Sequence, residues 1–184
     1  MSTLSPSESI KEIVRLLFRI QVREDKVFIS FLKMLERNGF KVIDFDEISR
    51  RITGYSTVTS LENILEILER FALSYSFEVT TILKARSINR IVNNVKLLSR
   101  KEGSFRKLYE HKNTLSYVFY KRRWWLIQII KNKSIVKIVL LRKQVSPLDT
   151  LTPYYYTFYN IRDILSVKEE ILEDLKDIIS LLNT

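Results

Sequence analysis

Positive charge in this chain is concentrated in its middle third. Residues 84–143 contain 17 Lys or Arg but only two acidic residues, Glu102 and Glu110, which gives this segment a net charge of +15. The complete chain has a net charge of +10, so the residues outside the segment are acidic on balance. Guanidinium and ammonium groups at this density attract phosphate backbones and anionic surfaces. The residue types therefore predict phosphate binding.

The predicted phosphate contacts are distributed over one expected helix and several expected strands. The predicted nucleic-acid-binding residues are Lys84, Arg86, Arg90, Lys96, Arg100, Lys101, Arg106, Lys107, Lys121, Arg122, Arg123, Lys131 and Lys133. Aromatic residues lie between them, and aromatic side chains beside Arg stack on bases in single-strand-binding proteins. The stacking candidates are Tyr117, Phe119, Trp124 and Trp125. Because neighbouring side chains of a strand point to opposite faces, one of the two tryptophans is predicted to belong to the core.

An enzymatic activity is not predicted. The sequence has no Walker loop, nucleophile elbow or zinc motif. It has no cysteine and a single histidine, His111, which is expected at the surface, so neither a metal site nor a cofactor is predicted. The acidic residues Asp44, Asp46 and Glu47 are explained by helix capping. The acidic residues of the last helix are expected to be solvated; they are Glu169, Glu170, Glu173, Asp174 and Asp177.

A tyrosine nucleophile is the one further catalytic candidate. It would require His or Arg residues around the reacting phosphate, and the sequence fixes no such cluster. Packing of the last helix onto the body of the protein explains these tyrosines better. They are Tyr154, Tyr155, Tyr156 and Tyr159.

Hydrophobic spacing predicts helices in the first part of the chain and strands in the later part. The predicted helices cover residues 5–20, 24–38, 45–52, 60–71, 88–98 and 161–182. The predicted strands cover residues 77–83, 115–120, 123–130 and 135–141. Residues 146–153, with two prolines, are predicted to form a linker.

These elements predict an α+β fold. It would contain an N-terminal helical bundle or winged-helix-like part (1–83), a basic helix with a small antiparallel sheet (84–145), and a linker with a C-terminal amphipathic helix (146–184). The last helix carries a 4-3 repeat of apolar residues, which is typical of helix association. The predicted self-association residues are Ile161, Leu165, Leu172, Leu175, Ile179 and Leu182. The expected assembly is a homodimer or a hetero-complex.

Residues 26–83 resemble a winged helix-turn-helix domain. The resemblance rests on a helix at 28–32, a short helix at 45–52, a turn with Gly54, a longer helix ending at 64–73, and a following strand. In DNA-binding members the last helix enters the major groove. Here that helix carries Glu62, Glu66 and Glu69, which would repel phosphates. The resemblance therefore implies a protein-interaction module, or contact with DNA through other elements. A simple three-helix core would have the same spacing of apolar residues and is the alternative interpretation.

The sequence as a whole predicts a non-enzymatic nucleic-acid-binding protein, with DNA favoured over RNA, that acts as a transcription regulator or an accessory subunit of a replication or repair assembly. Two alternatives stay open. One is a structural or interaction subunit, such as a virion or complex component, whose basic surface docks an acidic partner. The other is binding of RNA or single strands. No secretion signal or membrane span is predicted, so a cytoplasmic location is expected. The absence of Cys, with only three Gly and abundant Ile and Lys, is typical of a thermophile.

Overall fold

The computed structural model describes residues 10–141 and 161–183. Three features of the sequence lie outside these residues. They are the predicted helix start at residues 5–8, the predicted linker at 146–153, and the tyrosines at 154–159.

The described residues are organised around one antiparallel sheet of eight strands. The strands are β1 (Val14–Val22), β2 (Lys41–Asp46), β3 (Arg51–Thr57), β4 (Ala72–Lys84), β5 (Phe105–His111), β6 (Thr114–Lys121), β7 (Arg123–Ile130) and β8 (Ile135–Leu141). Their order across the sheet is β2-β3-β1-β4-β8-β7-β6-β5. In this order β2 and β5 are the two outer strands.

The helices connect the strands in two different ways. They are the one-turn α1 (Ile10–Ile13), α2 (Phe28–Arg37), α3 (Leu61–Phe71), α4 (Ile88–Lys101) and α5 (Ile161–Leu182). The N-terminal half runs β1-α2-β2-β3-α3-β4, which is the split β-α-β connectivity. In the C-terminal half α4 is followed by a four-stranded meander and then α5. Five residue pairs between β4 and β8 join the halves into one sheet.

The main core lies between the helices and one face of this sheet. It includes residues of α2, α3, α4 and α5 together with alternate residues of the strands. In β1 every second residue from Val14 to Val22 is buried, whereas Arg15 and Arg19 are exposed on the opposite face. A second, smaller apolar cluster lies on that opposite face. It contains Val118, Leu126, Val139 and Leu141, with Leu108 and Trp124 packed against it.

The predicted fold class is wrong. The N-terminal part is neither a helical bundle nor a winged-helix arrangement, because four of the eight strands, β1 to β4, belong to it. The sheet is also the dominant element of the fold rather than a small addition. The predicted division after residue 83 falls at the end of β4, which pairs with β8 of the predicted second segment. A single sheet therefore spans both segments.

Residues 14–22 are a strand, although their apolar spacing also fits the predicted helix. The same segment alternates strictly, with Leu16, Phe18 and Ile20 buried and the residues between them more exposed. This alternation matches the period of a strand, and β-branched and aromatic side chains suit a pleated surface. The two interior neighbours β3 and β4 then satisfy the backbone of β1 on both sides.

Residues 45–52 form a β-hairpin instead of the predicted short helix. The Asp46 carboxylate accepts hydrogen bonds from the backbone N–H groups of Ile48 (3.0 Å) and Ser49 (3.4 Å). Hydrogen bonding from Ser49, first from its side chain and then from its backbone, holds the pKa of Asp46 below its ordinary value. An Asp whose side chain accepts hydrogen bonds from the backbone N–H groups two and three residues ahead can stabilise a turn as well as the start of a helix. The acidic pattern was therefore compatible with both structures.

The remaining predictions of secondary structure are confirmed with shifted ends. The helices predicted at 24–38, 60–71, 88–98 and 161–182 correspond to α2, α3, α4 and α5. The strands predicted at 77–83, 115–120, 123–130 and 135–141 correspond to β4, β6, β7 and β8. Strand β5 was not predicted, because its outer position leaves most of its residues exposed or half-buried and weakens its hydrophobic pattern.

Gly54 lies inside β3, not at the end of a helix. A Cβ atom at this position would lie 2.3 Å from the Lys41 carbonyl oxygen and 2.3 Å from the Phe40 ring. A glycine in a strand often marks such a close approach. Gly54 is thus required by the packing of Phe40 across the β2–β3 pair.

We predict that Gly54→Ala lowers the free energy of unfolding by about 1–3 kcal/mol, because the added methyl group must displace the Phe40 ring or the backbone of β2. Gly103→Ala is the matched control, since a Cβ at Gly103 meets no atom within 4 Å. Urea unfolding followed by circular dichroism measures both. Equal effects of the two substitutions would contradict this account of Gly54.

Candidate nucleic-acid interface

Helix α4 is the basic helix of the candidate interface. Its buried residues are Ile91, Val92 and Val95, and it carries no acidic residue along its 14 positions. The Asn94 side chain donates a hydrogen bond from Nδ2 to the Leu182 carbonyl oxygen at 3.0 Å, which fixes α4 against the end of α5. The opposite side of the helix is exposed and presents the four cations Arg90, Lys96, Arg100 and Lys101.

Further exposed cations adjoin both ends of α4. Before the helix, the backbone N–H of Ala85 donates to the Ser134 carbonyl oxygen at 2.8 Å, so the turn with Lys133 lies beside Lys84 and Arg86. After the helix, Arg106 donates from Nε to the Gly103 carbonyl oxygen at 3.3 Å. We refer to these exposed residues together as the α4 basic surface; it consists of Lys84, Arg86, Arg90, Lys96, Arg100, Lys101, Arg106 and Lys133.

An acidic residue lies at the side of this surface, but cations surround it. Glu110 accepts a hydrogen bond from Lys107 at 2.7 Å and lies 3.7 Å from Lys131. The bond from Lys107, with the positive charges of Lys131 and Lys96, holds the pKa of Glu110 below its ordinary value. Two of the predicted phosphate contacts, Lys107 and Lys131, are therefore partly neutralised. The α4 basic surface has no ion pair with an acid among residues 10–141 and 161–183 at 4.0 Å or less.

Three other predicted phosphate contacts are used inside the protein. Lys121, Arg122 and Arg123 lie at the β6–β7 turn and face α5. Lys121 pairs with Asp177 at 2.7 Å, and Arg123 pairs with Glu170 at 2.8 Å. These cations hold α5 against the sheet instead of facing an external phosphate.

Arg122 is the centre of this internal network. Its guanidinium lies 3.0 Å from Asp174, 3.4 Å from Glu173 and 3.6 Å from Glu170. Its backbone has a φ of 57°, a left-handed conformation that is uncommon for residues other than glycine. Three acidic partners hold the Arg122 side chain against α5.

Asp174 is fully buried, although the sequence predicted a solvated residue. Burial raises the pKa of Asp174, and the opposing charges of Arg122, Lys121 and Arg123 lower it only in part. The pKa of Glu170 shifts in the opposite direction, because the hydrogen bond from Arg123 lowers it. A raised pKa means that the folded protein binds this proton more tightly than the unfolded chain. The contribution of Asp174 to stability is therefore greatest at low pH and decreases as the pH rises through its folded pKa.

The predicted stacking residues do not form an exposed platform. Tyr117, Phe119 and Trp125 lie in the main core beneath the helices, and each is at most 7% exposed. As predicted for neighbours on a strand, the two tryptophans lie on opposite faces. Trp124 is half-buried on the other face, where its ring centroid is 5.1 Å from that of Tyr120.

The predicted self-association residues of α5 pack inside their own chain. Five of the six are buried in the main core, and Leu165 is half-buried against it. In addition, α5 reaches α3 through an ion pair between Arg162 and Glu69, and α4 through Leu182. The apolar repeat of this helix therefore serves the fold, and it is not a free dimer surface.

Sequence reasoning missed a group of cations on the open face of the sheet. Arg15 lies 4.4 Å above the centre of the Tyr55 ring, and Arg19 and Arg51 line a groove of about 610 Å³. The same groove is lined by Asp44 and Asp46, so its charges balance and it does not favour phosphate. Arg15 and Arg19 on β1 were the available signal, but their four-residue spacing also fits the predicted helix at 5–20.

Comparison with known proteins finds no matching family model and no matching curated protein. Across the described ranges, no helix is long and apolar enough to cross a membrane. The same residues contain no group of three or more His, Asp or Glu side chains placed to hold a metal ion.

We predict that Arg122→Ala lowers the free energy of unfolding at pH 7 by more than the loss of an exposed ion pair but by less than the loss of a fully buried one, because the Arg122 side chain is 44% exposed whereas Asp174 is buried. The loss should shrink as the pH falls through the pKa of Asp174, since a neutral carboxyl group no longer requires the cation.

Denaturant unfolding of both proteins across this pH range measures the effect. Lys11→Ala is the control, because its ion pair with Glu169 is exposed on both sides and is worth at most about 1 kcal/mol. A loss in Arg122→Ala that does not change with pH would contradict the proposed role of Asp174.

Proposed function

We propose that this protein binds nucleic acid without enzymatic activity, through phosphate contacts made by the α4 basic surface. The observation that supports this most is the division of the cations. Lys121, Arg122 and Arg123 are engaged by the acids of α5, whereas the cations of α4 face solvent and form no ion pair at 4.0 Å or less with an acid of the described residues. Crowding like charges on one exposed helix costs free energy, which an anionic ligand would offset.

The shape and side chains of α4 favour duplex DNA as the ligand. A helix fits the major groove, and Arg and Asn are the residue types that bond guanine and adenine edges there. Asn89, Arg90 and Asn93 are all exposed along α4. The cations on either side of them would contact the phosphates and set the register of the helix. A regulator of transcription, or an accessory subunit of a replication or repair assembly, would use such a surface.

The test is fluorescence anisotropy with a labelled duplex, and with single-stranded DNA and RNA of the same sequence, at several salt concentrations. The variant Arg90→Glu/Lys96→Glu/Arg100→Glu reverses three charges of α4. We expect it to weaken duplex binding at least about 100-fold and to reduce the salt slope by about 3, since each lost phosphate contact removes about one released counterion.

The matched control reverses three exposed cations at the other side of the fold, Lys26→Glu/Lys33→Glu/Arg37→Glu. It changes the net charge equally, but Lys33 and Arg37 lie on α2 and Lys26 lies just before it. Helix α2 contacts β2, whereas α4 contacts β5. We expect this control to retain most of the affinity. Equal weakening by both variants would show attraction to net charge alone, and absence of binding at low salt would reject the proposal.

The two alternative functions give different results in the same assay. A chain that docks an acidic protein would show no duplex affinity at low salt but would bind that partner with a steep salt dependence. A single-strand binder would prefer the unpaired probes. The burial of Tyr117, Phe119 and Trp125 argues against the stacking platform on which the single-strand alternative relied.

A further inference from the structure

The outer strand β2 exposes large apolar side chains. Ile43 is 60% exposed and Phe45 is 51% exposed. In the part of the chain that the structure describes, no strand pairs with the outer side of β2. A free outer strand presents unpaired N–H and C=O groups, and exposed apolar residues beside them make it a site for strand addition.

The side chains of β2 fall on two defined faces of the sheet. Lys41, Asp44 and Asp46 pair with Tyr55, Thr53 and Arg51, so they belong to the open face that carries no helix. Val42 and Phe45 pair with Gly54 and Ile52, which are buried beneath the helices. A bulge at Ile43 separates the two parts of the strand.

One antiparallel pairing of β2 with a second copy matches the faces of Lys41, Val42, Phe45 and Asp46. It places Lys41 opposite Asp46 of the other copy, Val42 opposite Phe45, and Ile43 opposite Asp44. Both charged pairs are then opposite in sign and lie on the open face, and both apolar pairs lie on the helix face. Cross-strand pairs of this kind stabilise antiparallel sheets. A shift of the register by one residue would place Lys41 or Asp46 opposite an apolar residue of the helix face.

A second symmetric register also keeps open-face residues opposite open-face residues. Its two-fold axis lies at Phe45. It places Asp44 opposite Asp46, and like charges directly opposite each other are destabilising. Of these two registers, the charges of β2 favour the one that pairs Lys41 with Asp46. Charges and bulges on outer strands usually prevent pairing, but here the charges complement a second copy and the bulge falls on the two-fold axis.

The helix beside β2 supports the same partner. Phe31 of α2 contacts Phe71 of α3, with ring centroids 5.7 Å apart. At 100° per residue, Ile29 lies about 160° around the helix from Phe31, on the side away from α3. Ile29 is 42% exposed there. In a pair of copies, Ile29 and Phe45 of each would meet at the same seam, beneath the continuous sheet.

We propose that two copies of this chain associate through antiparallel pairing of their β2 strands, with Lys41 of each opposite Asp46 of the other. Such an interface is isologous, as expected for a two-fold dimer. It joins the two sheets edge to edge and leaves the outer strand β5 and the α4 basic surface of each copy uncovered. The dimer does not depend on nucleic-acid binding.

The test is sedimentation equilibrium of the full chain over a range of concentrations. The wild type should approach twice its mass of 21.9 kDa. Lys41→Asp places Asp opposite Asp46, and Asp46→Lys places Lys opposite Lys41, so each variant alone should dissociate at least about tenfold more readily. An equimolar mixture should restore the dimer, because both of its cross-strand pairs are again opposite in sign.

Further variants keep the test independent of folding. Asp46→Lys also removes the turn bonds to Ile48 and Ser49, so circular dichroism must show that it is folded. Ile43→Asp changes an exposed bulge residue and should also dissociate the dimer. Arg106→Asp on β5 is the control and should keep the wild-type mass.

Three results would overturn the proposal. The first is a wild type that stays monomeric at about 100 μM, well above the micromolar range of ordinary association. The second is a dimer that Lys41→Asp and Ile43→Asp leave intact. The third is a dimer that only Arg106→Asp dissociates, which would place the interface at the opposite edge of the sheet.

Discussion

The pairing of β4 with β8 is the constraint on which the rest of the structure depends. It joins a split β-α-β unit to a four-stranded meander, so both halves share one sheet and one pair of faces. Because the faces are shared, all four long helices pack against the same side and form one core. Helix α5, about 33 Å long at 1.5 Å per residue, then reaches from α3 to α4 and holds the two halves together.

This arrangement sorts the cations of the middle segment into two groups. The β6–β7 turn meets the acidic side of α5, so Arg122 and its neighbours compensate acids that include the fully buried Asp174. Helix α4 is hydrogen-bonded to the end of α5 through Asn94, near its own middle, and turns its charged side to solvent. Net charge therefore overstates the surface that is available to a phosphate backbone, whereas the distribution of acidic partners defines it.

A single open sheet also leaves two edges, and they differ in character. The β5 edge carries Arg106 and Lys107 and adjoins the α4 basic surface, so its charge discourages strand addition. The β2 edge carries exposed apolar residues with charges that complement a second copy. Nucleic-acid binding at one side and self-association at the other would not compete for surface, because the eight strands separate them.

The sequence alone determined the long helices α2 to α5, the strands β6 to β8, and the concentration of positive charge, because each depends on local periodicity or composition. It did not determine β1, β2 or β3. The apolar residues of 10–22 fit both a helix and a strand, and Asp46 suits both a helix start and a hairpin turn, so only the neighbouring strands decide between them. The same holds for function. Contacts between residues far apart in the sequence, such as Arg122 with Asp174 and Asn94 with Leu182, decide the surface. They determine which cations face solvent, which aromatic residues are buried and which apolar stripe is free. Local sequence patterns do not record such contacts.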